Sequence, residues 1–227
     1  MVRCDSRPDR LLSRADPVRP AMMVRLIFIR HGQTAWDTAG RYQGRTDTPI
    51  CAAGVAEARL IARRLLGTGI EALVSSPMRR ALATAEILAP ILGALPCTTD
   101  ARLAEIAFGE WEGMTPTELR AGSPGSIREW KRSPETFCFP GGEPLADARA
   151  RLRDFLRHPP WSGGTRPHCV AAVTHPGVIR LATLEAQGRP LADYRRIEVP
   201  CADLREFLLE PHGRLRPNSR WDNDRHP

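Results

Sequence analysis

The chain has 227 residues, of which 42% are hydrophobic and 26% are charged, a composition typical of a globular protein with one sizeable core. Its net charge is +7, and residues 1–21 and 211–227 carry +2 each, which leaves only +3 for the middle of the chain. Lys131 is the only lysine among the 33 lysine and arginine residues, and these basic residues form no continuous stripe. We therefore expect no nucleic-acid partner.

The cysteine pattern and the hydropathy exclude two further classes of protein. Six cysteines are scattered along the chain without a C-x-x-C spacing, which predicts reduced thiols in a cytoplasmic protein. No apolar signal region precedes Met22, and no stretch of eighteen consecutive apolar residues occurs. We expect a cytoplasmic protein with no membrane partner, either a monomer or a homodimer.

The two ends of the chain differ from its middle. Residues 1–21 are rich in Arg, Asp, Pro and Ser, too polar to offset the entropy of ordering, and predict a disordered extension. Met22 or Met23 is then a candidate start of translation. Residues 211–227 are similarly polar and predict an irregular tail. Residues 22–210 predict one domain.

Between the ends, apolar runs of strand length alternate with helical patterns, which is typical of βαβ units and a largely parallel sheet. The predicted strands are 24–29, 70–74, 169–174 and 203–209, with a weaker strand near 96–99. The predicted helices are 53–66, 77–92, 144–157 and 177–187, the second with Ser76 as its N-cap and Pro77 at its first position. The predicted fold is α/β, a three-layer α/β/α sandwich with a mostly parallel central sheet.

Residues 108–142 interrupt this alternation. They contain four large aromatic side chains among Gly, Pro and charged residues, without a clean period: Trp111, Trp130, Phe137 and Phe139. We interpret the segment as an inserted lid. Its aromatic residues could stack on a bulky aromatic alcohol, but a small core of the lid's own is the favoured interpretation.

Arg30, His31 and Gly32 follow directly on the first apolar strand, at the kind of strand end where open α/β sheets build ligand sites. Gly32 allows a tight turn that exposes backbone amides beside the imidazole. An imidazole nitrogen is a competent nucleophile toward phosphorus when its tautomer is fixed. His31 is the candidate nucleophile, although a lone histidine is more often a structural hydrogen-bonding group.

Arg30 and Arg80 are candidate ligands of a phosphoryl group, because a guanidinium is always charged and donates two parallel hydrogen bonds. Arg79 competes with Arg80, since successive helical residues point about 100° apart and only one can face a pocket. His175 ends a second apolar strand and precedes a helix start whose free amides attract anions. Alone, Arg79 and Arg80 are typical of a solvated helix face, and His175 of a core histidine.

Glu105 is the candidate general acid. It precedes an apolar run, residues 106–108, which we expect to desolvate it and to favour its protonated form. Glu110 and Glu112, on either side of Trp111, are the second choices for this role.

Six segments together resemble the histidine phosphatase superfamily, the phosphoglycerate-mutase-like fold. They are residues 30–36, 40–47, 75–81, 103–113, 140–143 and 174–180, and the resemblance covers about residues 23–210. The resemblance implies that His31 is the phosphorylated nucleophile, that Arg30, Arg80 and His175 complete the phosphate pocket, and that Glu105 donates the proton. It also implies that no metal or other cofactor is required.

The resemblance further identifies Gln43 and Gly44 as residues that line the substrate entrance, and Thr34 and Asp37 as candidate substrate-binding residues. Three positions depart from the family pattern. Asp37 replaces the usual Asn, which places a carboxylate where an amide would donate to phosphate. Cys51 replaces Thr or Ser before the first long helix and is a poor cap, and Pro176 follows the second histidine, where a helix start tolerates it.

The run after Glu105 and the Pro-Gly-Gly-Glu segment resemble the small phosphatase branch. The sequence therefore predicts a metal-independent phosphomonoesterase acting through phosphohistidine on a small phosphorylated metabolite, with α-ribazole phosphate or a broad range of phosphomonoesters as candidates. A phosphoglycerate mutase is the alternative within the family. The alternative of another class is a non-catalytic regulatory or nucleic-acid-binding protein that uses the basic surface.

Overall fold

The computed structural model describes residues 23–161 and 167–218. The predicted extension 1–21, Met22 and the end of the tail, residues 219–227, lie outside the described residues.

A six-stranded, mostly parallel sheet forms the centre of the molecule. Its strands are β1 (Val24–Arg30), β2 (Ala72–Ser75), β3 (Cys97–Thr99), β4 (Cys169–Thr174), β5 (Leu204–Leu209) and β6 (Leu215–Pro217). They are arranged in the order β3-β2-β4-β1-β5-β6. The first four strands of this order run parallel to one another, and β5 and β6 are antiparallel to their neighbours. The predicted fold class is confirmed.

The helices are α1 (Ala35–Thr38), α2 (Ala52–Arg64), α3 (Arg79–Ile91), α4 (Pro116–Gly122), α5 (Pro124–Arg132), α6 (Leu145–Arg157) and α7 (Pro176–Gln187). Short 3-10 turns cover Ala101–Leu103, Gly109–Trp111 and Leu191–Arg196.

Alternate residues of β1 serve two different cores, because successive side chains of a strand point to opposite faces. Ile27 and Ile29 pack in the cluster that contains the buried faces of α2 and α3. Leu26 and Phe28 pack in the cluster that contains α5, α6 and α7. Helices therefore cover both faces of the sheet, as the three-layer prediction requires.

The register between β1 and β4 decides where the site lies. The two strands are parallel neighbours, and Arg30 is paired with Thr174. His31 and His175 follow these two residues, so both histidines leave the same edge of the sheet at the same level.

The predicted start of the second long helix is wrong. Helix α3 begins at Arg79, and its N-cap is Met78, which supplies no side-chain hydrogen bond. Ser76, the predicted cap, lies before this start: its Oγ accepts the backbone N–H of Met78 at 3.4 Å and is 2.7 Å from Nε2 of His175. The hydroxyl of Ser76 thus has a short contact with a distant polar partner in addition to a longer local hydrogen bond.

The inserted segment does not have a core of its own. Its four aromatic side chains are buried, and they belong to the same cluster as the sheet residues Leu26 and Phe28. Edge-to-face and tilted contacts connect them; the ring centroids of Trp111 and Phe139, for example, are 5.2 Å apart. The separate lid core was a wrong prediction, because these side chains belong to one buried cluster together with residues of the sheet.

The tail is not irregular from residue 211. A turn at Gly213, with a φ of +82°, returns the chain so that Leu215–Pro217 pair antiparallel with β5. Leu215 is buried in the main core, which stabilises the hairpin. Pro217 is compatible with this position because β6 is an edge strand.

Candidate active site

His31 lies at the end of β1 with only 2% of its surface exposed. Its Nδ1 is 2.9 Å from the carbonyl oxygen of Gly32. A carbonyl only accepts hydrogen bonds, so Nδ1 carries the proton of the neutral ring and Nε2 carries the lone pair. Burial and the charge of Arg80 lower the pKa of His31 to about 3. The imidazole is therefore neutral at physiological pH and has the tautomer that a nucleophile needs.

His175 lies beside His31, and the two ring centroids are 5.1 Å apart. Burial, followed by the charge of Arg80, lowers the pKa of His175 well below its usual value. Ser76 Oγ accepts a hydrogen bond from Met78 N at 3.4 Å and is 2.7 Å from Nε2 of His175. With Ser76 donating to Nε2, the neutral ring of His175 has its proton on Nδ1, as a donor.

Arg30 is held by two acceptors. Its Nη1 donates to the carbonyl of Val199 at 2.7 Å, and its Nη2 donates to Oδ1 of Asp37 at 2.5 Å. Burial acts to raise the pKa of Asp37, but the charge of Arg30, the interaction with His31 and the hydrogen bonds from Thr34 together outweigh it, and the pKa lies below its usual value. Asp37 is thus an ionised partner of Arg30 and limits the rotation of its guanidinium.

Arg80 is fully buried at the first turn of α3, whereas the neighbouring Arg79 is exposed. Nη2 of Arg80 donates to the carbonyl of Gly44 at 2.7 Å, and Nη1 donates to the carbonyl of Thr46 at 2.9 Å. Burial lowers the pKa of Arg80, but a guanidinium stays protonated in proteins. The geometry agrees with the helix phase predicted from the sequence.

Three buried nitrogen atoms at this sheet edge have no hydrogen-bond partner among the described residues, 23–161 and 167–218. They are Nε of Arg30, Nε of Arg80 and Nδ1 of His175. Leaving a buried donor unpaired is unfavourable, by about 1–3 kcal/mol for each group. Two of these donors belong to permanent cations. An anion is the ligand that such a set of donors fits.

The carboxylate of Glu105 contacts the first turn of α7, the helix that begins directly after His175. It is 5% exposed, and its oxygens accept hydrogen bonds from the backbone N–H of Gly177, at 3.1 Å, and of Ile106, at 2.9 Å. A Cβ atom at position 177 would lie 2.2 Å from Oε1 of Glu105, so glycine is needed for this approach. Thr174 donates to the carbonyl of Leu103 at 2.6 Å and fixes the segment to β4.

The four predicted substrate-binding residues all make hydrogen bonds to other groups of the protein. Thr34 is fully buried, and its hydroxyl and backbone N–H both donate to Oδ2 of Asp37 in a capping box at α1. The side-chain oxygen of Gln43 accepts a hydrogen bond from Thr48 Oγ1 at 2.8 Å. Gly44 presents its carbonyl to Arg80. Direct contact of these residues with a substrate stays a prediction.

Sequence reasoning missed two residues that the structure places beside the site. Ser76 contacts His175, but its position before Pro77 indicated a helix cap. Glu112 was considered only as an acid, although its carboxylate accepts four hydrogen bonds from the loop next to Arg80 and from Phe108. No local pattern marks either role, because both partners are distant in sequence.

Within the described ranges, no cluster of three or more His, Cys, Asp or Glu side chains is placed to hold a metal ion. No helix in that part of the chain has the length and apolar character to cross a membrane.

The sequence model of one protein family, the histidine phosphatase superfamily (branch 1), matches residues 26–218 of this chain. The chain belongs to this superfamily. The match includes both histidines, both buried arginines and Glu105, and it continues through the β5–β6 hairpin.

Similar proteins include named phosphatases. A glucosyl-3-phosphoglycerate phosphatase of Mycobacterium tuberculosis is 34% identical over 75% of this chain and 78% of the relative. Phosphoserine phosphatase 1 of Hydrogenobacter thermophilus is 35% identical over 59% of this chain, a match that spans 63% of the relative's length. A solved structure of a mycobacterial glucosyl-3-phosphoglycerate phosphatase with VO3 has a TM-score of 0.74, at 29% identity over 86% of this chain and 96% of that one. Membership and relatives support a phosphatase, that is, a phosphoric monoester hydrolase.

Proposed function

We propose that the protein is a metal-independent phosphomonoesterase that works through a phosphohistidine at His31. The observation that carries this proposal is the neutral imidazole of His31. Its Nδ1 is fixed on the Gly32 carbonyl, so its Nε2 lone pair is available beside two buried guanidinium groups. A neutral imidazole with a free lone pair beside two cations suits nucleophilic attack on an anionic substrate.

The first half of the reaction transfers the phosphoryl group to the enzyme. Nε2 of His31 attacks phosphorus while the bond between phosphorus and the ester oxygen breaks. The unpaired N–H groups of Arg30, Arg80 and His175 supply donors for the phosphoryl oxygens, whose charge must be stabilised in the transition state. Glu105 gives its proton to the departing alcohol oxygen.

The second half regenerates the enzyme. A water molecule attacks the phosphohistidine, the ionised carboxylate of Glu105 takes the proton of that water, and the bond between phosphorus and Nε2 breaks. Phosphate leaves, His31 is again neutral, and Glu105 is again protonated. The same donors serve both halves, because the phosphoryl group stays in place while its two axial partners change.

The proposed substrates are small phosphomonoesters. The names of the relatives, phosphoserine phosphatase and glucosyl-3-phosphoglycerate phosphatase, refer to substrates that carry a carboxylate close to the phosphate. A solved relative is described as a putative α-ribazole-5′-phosphate phosphatase, at 25% identity and a TM-score of 0.73. The four aromatic side chains of the inserted segment are buried in the core, which argues against stacking of a ribazole base on them. We therefore favour small phosphorylated acids, with broad specificity as the alternative.

Single-turnover labelling tests the mechanism. Enzyme mixed with a ³²P-labelled phosphomonoester such as phosphoserine and then quenched should carry an acid-labile, base-stable label. His31→Ala should lose this label, and its turnover should fall by several orders of magnitude. The exposed His158→Ala variant serves as the control and should keep both. Substantial turnover in His31→Ala would overturn the mechanism.

A substrate panel with added chelator tests the rest of the proposal. Hydrolysis at the same rate with and without chelator is expected, and loss of the activity in chelator would contradict metal independence. One close relative by sequence is named a probable phosphoglycerate mutase. Transfer of the label to a second phosphoglycerate rather than to water would assign that alternative. Absence of any label or turnover across the panel would favour a non-catalytic protein.

A further inference from the structure

Glu112 and Arg80 lie on opposite sides of the loop formed by residues 44–46. Oε1 of Glu112 accepts a hydrogen bond from the backbone N–H of Arg45 at 2.9 Å. Oε2 accepts from the backbone N–H of Thr46 at 2.9 Å and from its hydroxyl at 2.6 Å. The guanidinium of Arg80 donates to the carbonyls of Gly44 and Thr46 from the other side.

One peptide group connects the two charged side chains directly. The carbonyl of Gly44 and the N–H of Arg45 belong to the same peptide bond, so that peptide accepts from Arg80 and donates to Glu112. The carboxylate polarises this peptide and makes its carbonyl a stronger acceptor for the guanidinium. The charges of Arg80 and Glu112 thus interact through a rigid planar unit.

The close approach of Glu112 requires glycine at position 44. The φ of Gly44 is +53°, and a Cβ atom there would lie 2.1 Å from Oε1 of Glu112. The positive φ of Gly44 and its lack of a side chain are therefore both needed for the contact of Glu112 with Arg80 through the Gly44–Arg45 peptide, which we call the bridge. Glu112 also accepts a hydrogen bond from the backbone N–H of Phe108 at 3.1 Å, which connects the bridge to the inserted segment. The carboxylate of Glu112 is among the charges that counteract the effect of burial on the pKa of Arg80.

We propose that Glu112 is a positioning residue which, through the Gly44–Arg45 peptide, holds the guanidinium of Arg80 in the orientation that binds the phosphoryl group. The inference rests on the proposed function of Arg80 as a phosphate ligand. One N–H of each Nη atom of Arg80 is held by a carbonyl, and the Nε–H, which has no partner among the described residues, can donate to the substrate. Loss of the carboxylate frees the loop, and with it the guanidinium.

The test compares Glu112→Gln with the matched control Glu135→Gln. Glu135 is exposed in the same inserted segment, whereas both oxygens of Glu112 accept N–H groups that a carboxamide nitrogen would repel. Glu112→Gln should lower kcat/KM for a small phosphomonoester by roughly 10- to 100-fold, as expected for a misplaced binding group. It should also raise the inhibition constant of inorganic phosphate. Glu135→Gln should change both values by less than about twofold.

A double-variant cycle separates positioning from a general structural effect. If Glu112 acts through Arg80, Glu112→Gln should cause less than about a threefold further loss when it is added to Arg80→Lys. Losses that multiply in the double variant would overturn the proposal, and so would an unchanged phosphate affinity in Glu112→Gln.

Thr46 offers a milder pair of variants in case Glu112→Gln does not fold. Thr46→Val removes the hydroxyl that donates to Glu112 but keeps the shape, whereas Thr46→Ser keeps the hydroxyl. The valine variant should bind inorganic phosphate more weakly than the serine variant, and equal affinities would contradict the bridge. If wild-type enzyme is labelled on His31 but the substitutions at Glu112 and Thr46 leave the affinity for inorganic phosphate unchanged, this inference alone is overturned. Wild-type enzyme without a label would overturn the proposed function instead.

Discussion

At the scale of single residues, two side chains of the site are held in place by hydrogen bonds to backbone carbonyls. His31 uses Nδ1 for the Gly32 carbonyl, and Arg80 uses both Nη atoms for carbonyls of the loop 44–46. The Nε2 atom of His31 and the Nε–H of Arg80 remain for the substrate. Such preorganisation matters because donors fixed before the reaction need no reorganisation in the transition state.

The role of Glu105 as the general acid can be tested by substituting it and comparing the loss of rate between substrates with different leaving groups. In Glu105→Gln the shape is kept but the proton is lost. Alkyl phosphates, whose leaving groups need that proton, should lose about 10²- to 10⁴-fold in rate. Nitrophenyl phosphate should lose much less, because its leaving group departs as a stable anion. The measurement is kcat/KM for both substrates with wild type and variant.

The outcome that contradicts this assignment is an equal loss on both substrates, which would make Glu105 a positioning residue. Its two backbone hydrogen bonds, from Ile106 and Gly177, provide a structural reason for such a result. Glu110→Gln is the control, because Glu110 is exposed. It should show no dependence on the leaving group.

At the scale of secondary structure elements, helix α2 begins without a side-chain cap. Its N-cap is Cys51, whose φ and ψ of −92° and 177° suit a capping residue, but the thiol makes no capping hydrogen bond. Cys51→Ser should supply an acceptor for the free N–H groups of the first turn. The free energy of unfolding in urea should rise by about 0.5–1 kcal/mol.

Cys97→Ser is the matched control for the capping prediction. Cys97 is exposed on the edge strand β3 and has no helix to cap, so the same chemical change should leave the stability nearly unchanged. Equal effects of the two substitutions would show that the serine at position 51 does not cap α2.

Element boundaries were predicted well where the pattern is local and less well where a distant partner decides them. The periodicity of α6 and the apolar run of β4 are properties of neighbouring residues, and both elements occur as predicted. Ser76, the predicted cap of the second long helix, contacts His175, which is 99 residues away in the sequence, and no local pattern can reveal that contact. The strand β6 has a near partner, β5, but it is only three residues long and Leu215 is its only large hydrophobic residue.

At the scale of the whole molecule, the two buried histidines make the stability depend on pH. The pKa of His31 is lowered to about 3, and that of His175 is lowered as well, in both cases chiefly by burial. Below pH 6.5 the unfolded chain therefore binds protons that the folded protein does not. The folded state must lose stability as the pH falls below about 6.5, and the loss continues until the folded-state pKa is reached.

The expected size of this effect follows from the unfolded-state pKa of histidine. Between pH 7.5 and 5.5 each histidine should reduce the free energy of unfolding by about 1.4 kcal/mol. Urea unfolding of a His31→Asn/His175→Asn double variant at both pH values should show a correspondingly smaller difference than wild type. The exposed His212→Asn is the control. A double variant with the same pH difference as wild type would contradict the prediction.

The sequence by itself determined the alternation of strands and helices, the family, and the candidate set of His31, Arg30, Arg80, His175 and Glu105. These follow from periodicity and from motifs at the ends of apolar runs, which are properties of nearby residues. The tertiary structure decided the rest. The parallel register of β1 and β4 brings the two histidines side by side. The bridge from Glu112 to Arg80 arises only when separate segments of the chain meet at one sheet edge. Likewise, only the folded chain brings the aromatic residues of the inserted segment into the same cluster as buried residues of the sheet. Such contacts are set by the packing of the whole chain, so no local pattern can specify them.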